Sequence, residues 1–446
     1  MCAACEGSAN VPATTSAPSA PSAPSAPSAA APRPRRFAAL RNRECRPYLA
    51  GGMLSMMADN VEHVITYWVL WQEFHSPALT GFQVISHWLP FLLLSVWFGS
   101  LADRYDCRRV VQAAQGLFAG VSIAWGVAFA TGTLSIPLAC VLLVLHGAAG
   151  ALWTPAEQLL LQDFVGREDL PSAVRLNATF RGLGVLLGPV VGSALLLGVG
   201  ATAGIWVNAV LYLPLTLFLL RTRRTGHGRG ATAPRQRLGP LAAARAARRV
   251  MRDEEIAAAI LVAGLTSLFV GSALQTVMPE FAEGLGDGAS GTAYGILLFA
   301  NGLGGVLGGI VLEATGWIRP NVAVAVVSTF CFGLAIAGFS LSGGLATAVG
   351  LLIVGGVANL VSVSVNQTVV QLRADPAERG RTVGVYSMAS GGLRVGSGFT
   401  IGVLGAAVGV RSSVLVSGLS LALGSLVVGL LVRSRRRRRR SALGEG

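Results

Sequence analysis

Apolar stretches long enough to cross about 30 Å of hydrocarbon as a helix recur along this chain at short intervals. Twelve are read, with approximate limits 48–72, 81–101, 110–131, 136–158, 174–198, 201–220, 256–280, 290–312, 319–341, 344–368, 381–406 and 411–432. A backbone in lipid must satisfy its own N–H and C=O groups, so repeated spans of this kind are helices. The one long interruption, 221–255, is rich in Arg, Gly and Pro and divides the spans into six and six. The expected fold is therefore an all-α membrane protein with twelve transmembrane helices in two pseudo-symmetric six-helix bundles.

Composition agrees with this fold and removes its rivals. Only 13% of the 446 residues are charged and 52% are hydrophobic, whereas a soluble protein of this size needs about twice that charge density. The net charge of +14 raises nucleic acid as a partner, and all 35 basic residues are arginine. Their placement answers the question. With the N-terminus inside, the inner segments hold Arg33, Arg35, Arg36, Arg41, Arg43 and Arg46, then Arg104, Arg108 and Arg109, then Arg167 and Arg175. Ten more lie in the linker, followed by Arg319, Arg373, Arg379 and Arg381, then Arg433 and the run Arg435 to Arg440. The outer loops carry only Arg411, beside Glu73, Glu283 and Asp287. This is the positive-inside pattern of a multi-pass protein of the cell membrane with both termini cytoplasmic. The excess charge lies along one membrane face, suited to anionic lipid heads, and no nucleic-acid partner is expected.

The organisation follows as a disordered basic tail over 1–46, a bundle over 47–220, a cytoplasmic Arg-rich linker over 221–255, a second bundle over 256–432 and an Arg-rich tail over 433–446. Residues 1–36 are Ala, Pro and Ser with the repeat SAPSAPSAPSA and have no apolar core, so they are not read as a secretory signal. Six cysteines (Cys2, Cys5, Cys45, Cys107, Cys140 and Cys331) are scattered without a repeated spacing, and no disulfide framework is implied. Cys2 and Cys5 form a lone C-x-x-C with no second pair, so no metal or cofactor is assigned.

The two halves share a repeat. GSLADRYDCRR, Gly99 to Arg109, follows span 2, and GIVLEATGWIR, Gly309 to Arg319, follows span 8. In each, an acid stands four residues after the glycine, Asp103 or Glu313, and an arginine stands ten after it. Here the chain resembles the major facilitator superfamily from Pro47 to Arg433. The first segment is similar to the family's loop signature G-x-L-A-D-R-x-x-R-R, matched at Gly99, Leu101, Asp103 and Arg104, with Cys107 where an arginine is common. The resemblance implies a gating loop in which the glycine permits close packing and Asp103 faces a neighbouring helix start, with Arg108 or Arg109 as its arginine partner. In span 5, GVLLGPVVGS resembles the antiporter signature G-x-x-x-G-P-x-x-G-G of exporters, matched at Gly184, Gly188, Pro189 and Gly192, with Ser193 replacing the last glycine. Glycines four apart line one helix face, and this motif is expected to make a tight, kinked contact between bundles. The segments Pro155 to Asn177 and Glu378 to Met388 resemble cytoplasmic corners of the branch that holds macrolide efflux proteins and the enterobactin exporter.

An ionised side chain at mid-bilayer costs at least about 2.5 to 3.5 kcal/mol, so each one marks a candidate site. In span 1, Ser55, Asp59, Glu62, His63 and Thr66 recur at helical spacing and share one face, which must look into a cavity. Asp59 and Glu62 are carboxylates one turn apart that repel when both are charged, so the pair is suited to hold a proton. Alternatively, both are satisfied by hydrogen bonds or by an arginine and only fix the bundle. Arg181 in span 5 and Arg394 in span 11 are the counter-ion or substrate candidates. His146 in span 4 stands in H-G-A-A-G, where many drug antiporters carry arginine, and is a further proton-coupling candidate; His87 is a weaker one. Trp68, Trp71, Trp88, Trp97, Trp125, Trp153 and Trp206 fall mostly near span ends, as an interfacial belt does.

One charge crossing about 150 mV supplies roughly 3.5 kcal/mol, enough for a gradient of roughly 300-fold in a neutral cargo. No nucleotide site is needed and no G-x-x-x-x-G-K-[ST] is present. The expected function is a monomeric, proton-driven exporter of small molecules such as drugs, antibiotics or siderophores. The alternatives are an importer of the same fold and a non-transporting scaffold or sensor; with acids and histidines inside spans, an enzyme is not expected.

Overall fold

A computed structural model describes residues 36–74, 77–227, 248–285, 292–316 and 319–442. Cys2, Cys5, Arg33, Arg35, most of the linker and Asp287 lie outside these residues, as do the side chains of Trp71, Gln275 and Glu283. All regular elements among the described residues are helical. A short α1 (Ala38–Arg41) precedes α2 (Cys45–Phe74), α3 (Pro77–Arg104) and α4 (Cys107–Thr131), which are spans 1 to 3. Asp106 starts α4 by accepting the Arg108 backbone N–H, and Gly132, at φ 65°, ends it.

Spans 4 to 6 run through α5 (Ile136–Leu211) and α6 (Leu213–Arg221). The chain reverses inside α5 at Gly166 (φ 76°, ψ −176°) and Gly200 (φ 85°, ψ 168°), a backbone region open in practice only to glycine. Those two glycines turn one long helical run into three crossings. Span 7 is broken, as α7 (Glu254–Phe269) and α8 (Ala273–Gly284), and Asp253 caps α7 through the Glu255 and Ile256 N–H groups. Then follow α9 (Thr292–Thr315), α10 (Val322–Ser340) and α11 (Leu345–Arg373). Span 11 begins as α12 (Arg379–Ser387) and passes through π-helical turns at Met388–Gly392 and Gly398–Val403, on either side of the short α13 (Arg394–Ser397). It ends in α14 (Leu404–Val408), and α15 (Val410–Ala442) is span 12. The twelve spans thus form two six-helix bundles, one from α2 to α6 and one from α7 to α15.

Each bundle packs around its own apolar core, with Leu49, Phe118, Leu160 and Leu215 in the first and Phe281, Ile336, Leu352 and Leu421 in the second. Lateral faces keep large apolar side chains exposed, among them Leu197, Val190, Leu220 and Leu423, as lipid contact demands. The tryptophans divide. Trp68, Trp97 and Trp206 are exposed, but Trp125 and Trp153 are buried in the core, so the expected interfacial belt does not hold for those two. Seven described helices are long and apolar enough to cross a membrane by length and composition, and α2 is not one of them. The polar face read in its sequence dilutes its hydropathy, and that face carries the site.

The glycines of span 5 pack differently from expectation. A Cβ at Gly184 would strike the backbone of Met53 and Met57, one at Gly188 would strike Asn60, and one at Gly192 would press on Val61 and Val64. All of these belong to α2. The glycine face therefore seats span 5 on span 1 within one bundle, rather than joining the two bundles, and α5 keeps helical geometry through Pro189.

Candidate functional site

Halfway along α2, Asp59 and Glu62 meet His146 of α5. Their exposures are 8%, 2% and 3%, so the three groups are withdrawn from solvent together. His146 Nε2 lies 2.8 Å from Asp59 Oδ1, and Nδ1 lies 2.8 Å from Glu62 Oε1, the second contact at ion-pair distance but outside hydrogen-bond alignment. Ser122 of α4 donates to Glu62, and Asn208 donates to Ser122 at 3.3 Å. Thr66 donates to the Glu62 carbonyl at 2.7 Å, and Ser55 donates to the Gln115 side-chain carbonyl at 2.9 Å. The His146 imidazole thus lies between two carboxylates, each 2.8 Å from one of its ring nitrogens.

Two more histidines adjoin it. His63 Nδ1 is 3.9 Å from Asp59 Oδ2, and the His63 ring centroid lies 4.9 Å from those of His87 and His146. Asp59, His63, His87 and His146 each bring one donor atom within 4.8 Å of all the others, a set able to hold a metal ion. Spacing along α2 exposes the Asp59 and His63 pair, but His87 and His146 join it only through tertiary packing.

Neither arginine is the counter-ion of Asp59 or Glu62. Arg181 pairs instead with Glu157 at 2.9 Å, a buried acid of the segment that resembles a cytoplasmic corner, and its guanidinium lies 4.8 Å from the Trp153 ring. Arg394 bonds the Ser390 carbonyl at 3.2 Å and sits 4.4 Å over the Trp88 ring, which belongs to the other half. The expected pairing fails because His146 already occupies the space between the two carboxylates.

The halves are tied at one end by two related contacts. Asp103, at the foot of α3, accepts the backbone N–H of Gly380 (2.5 Å) and of Arg381 (2.9 Å) at the start of α12, with the Arg381 guanidinium 4.0 Å away. Gly99 and Gly380 pack backbone to backbone there, leaving no room for a Cβ on either. Arg108 does not partner Asp103; it pairs with Asp106 and the Thr222 carbonyl, while Arg109 is exposed and the Arg104 Nε is buried without a hydrogen-bond partner among the described residues. In the other half, Glu313 at the foot of α9 takes Arg175 at 2.7 Å and the Ser172 hydroxyl, both at the start of span 5. Glu313 is fully buried and Arg175 nearly so. Gln371 and Gln158 add a bond of 3.1 Å across the same seam. The repeated acids thus act reciprocally, each on the helix start of the opposite half.

Two six-helix bundles tied at one end, with charge buried midway along a span, define a membrane transporter. The chain belongs to the Major Facilitator Superfamily, whose family model matches residues 48–397. It is similar to the staphyloferrin A transporter of Staphylococcus aureus, at 21% identity over 78% of this chain and 87% of that one. Among solved structures, it is similar to the human organic anion transporter MFSD10 (TM-score 0.68, 16% identity, 86% of this chain and 99% of that one). It is also similar to the E. coli transporter FucP in the outward conformation (TM-score 0.69, 12% identity, 89% of this chain and 99% of that one). At these identities the structural likeness speaks for the fold alone. A small-molecule substrate and a membrane setting follow from the family.

Proposed function

We propose that this protein is a proton-driven exporter of small molecules such as drugs, antibiotics or siderophores, working by alternating access across the cell membrane with both termini cytoplasmic. The observation that carries the reading is the buried triad of Asp59, His146 and Glu62. Proton exchange at this site would change the charge of the mid-membrane interior, and a charge there costs at least a few kcal/mol unless it is compensated. A cycle that loads a proton from one face and releases it to the other couples the triad to the gradient. The resemblance of the span 5 glycine motif to the antiporter signature favours export, and the staphyloferrin A relative favours a siderophore-like cargo.

Of the two span arginines, Arg394 is the one open to cargo, because Arg181 is engaged by Glu157. The ties at Asp103 and Glu313 close one end while the site is served from the other.

A compound-sensitivity panel in a host with and without the gene identifies a test cargo. Its efflux is expected to collapse with an uncoupler and in Asp59→Asn. Undiminished efflux under both conditions would remove the coupling assignment. FucP is named a fucose:proton symporter, so the same fold serves uptake in that protein. Oriented vesicles with the gradient imposed in each direction separate export from import.

A further inference from the structure

The histidines beside the triad have no part in proton coupling as described. We propose that Asp59, His63, His87 and His146 form a binding site for one divalent first-row transition-metal ion inside the N-terminal bundle. The four donor atoms lie within 4.8 Å of one another and come from three helices, α2, α3 and α5. A tetrahedral ion with bonds of about 2.0 to 2.2 Å holds its ligands roughly 3.3 Å apart. The cluster is therefore within about 1.5 Å of binding geometry at its widest separation, a distance that side-chain rotation covers. Three imidazoles and one carboxylate are the donor set of zinc, cobalt or nickel rather than of magnesium or calcium, which prefer all-oxygen shells.

Three further features fit a metal. A ligating histidine usually gives its second ring nitrogen to a carboxylate, which fixes the ring. His146 comes near that arrangement, with Nε2 2.8 Å from Asp59 and Nδ1 2.8 Å from Glu62 though not aligned as a hydrogen bond, and Ser122 donates to Glu62. The charges close as well, because Asp59 and Glu62 together neutralise a divalent ion whose burial is otherwise prohibitive. Finally, His87 Nδ1 is buried with no hydrogen-bond partner. A buried polar atom left unpaired calls for a partner, and a bound ion near this ring is one such partner. His63 and His87 are only partly buried, whereas Asp59 and His146 are buried, so an ion enters from the histidine side.

The test uses the full-length protein, purified in detergent and stripped with a chelator, with Co²⁺ as a spectroscopic probe and Zn²⁺ as competitor. The expected result is one Co²⁺ per chain with the intense visible bands of a tetrahedral site, displaced by Zn²⁺. His63→Ala and His87→Ala should each weaken binding at least 10-fold, and Glu62→Gln, one step removed from the ion, 10- to 100-fold. His87→Gln, which preserves bulk, serves if the alanine variant loses its monodisperse elution. Absence of stoichiometric binding, an octahedral spectrum, or binding indifferent to both histidines would overturn the site. The readout needs no cargo and no gradient, so it stands or falls apart from proton-driven export, although both rest on Asp59 and His146.

Discussion

At the scale of single residues, the two intramembrane arginines differ more than their matching settings suggest. Arg181 neutralises Glu157, which is 3% exposed, while among the described residues Arg394 meets a backbone carbonyl and the face of Trp88. Removing one partner of a buried pair strands the other charge, at about 3 to 5 kcal/mol, whereas a cation over an aromatic ring contributes about 0.5 to 2 kcal/mol. Arg181→Leu is therefore expected to melt well below Arg394→Leu in fluorescence-detected thermal unfolding. Equal melting temperatures would show that the Glu157 pair contributes little. The polar face holding Asp59, Glu62 and His63 was legible because helical spacing alone defines it. The position of His146 between the two acids was not, since nothing in a single sequence says which way span 4 faces.

At the scale of elements, the contact of α5 with α2 is the one most sensitive to volume. A Cβ at Gly188 would overlap that of Asn60 and approach the Met57 carbonyl, so any side chain there pushes apart the helices that carry the triad. Overpacking of this kind costs about 1 to 3 kcal/mol. Gly188→Val is expected to lower the melting temperature and to abolish efflux together, whereas Gly198→Ala, where a Cβ meets nothing within 4 Å, should leave stability unchanged. If both variants melt alike, the close approach is not what holds α2. The recurrence of apolar stretches pointed to two six-helix bundles, but it did not reveal that the span 5 motif faces its own bundle. Small residues announce a close neighbour without naming it. The break in span 7 and the π turns around Arg394 were equally hidden, because glycine-rich apolar sequence is compatible with several helical pitches.

At the scale of the whole molecule, the seam between halves depends on few groups. Glu313→Gln leaves Arg175 buried without its acid and removes one of the two acid ties. A cysteine introduced at Gln371, which is fully buried at the seam, reports on opening in a background without native cysteines. With the acid in place, labelling by a water-soluble maleimide should be slow, and with Glu313→Gln roughly tenfold or more faster, given the size of such a term. An unchanged rate would mean that this end is held shut by apolar packing alone. The six-plus-six division and the repeated Asp103 and Glu313 were both visible in the sequence, since a duplicated fold leaves a duplicated spacing. Their partners were not visible. Arg175 reads as one more topology signal among many arginines until the fold sets it against Glu313.

The reciprocity of those two ties has a consequence for how such a chain is assembled. Each half lends an acid to the other and receives one in return, which is the logic of a two-fold dimer made from one unit. Seen this way, the linker is a tether. It raises the effective concentration of one half around the other, while its described ends are anchored, Thr222 by Arg108 and Asp253 as the cap of α7. The affinity between the halves is written into the feet of α3 and α9, so joining them in one chain adds proximity rather than a new contact.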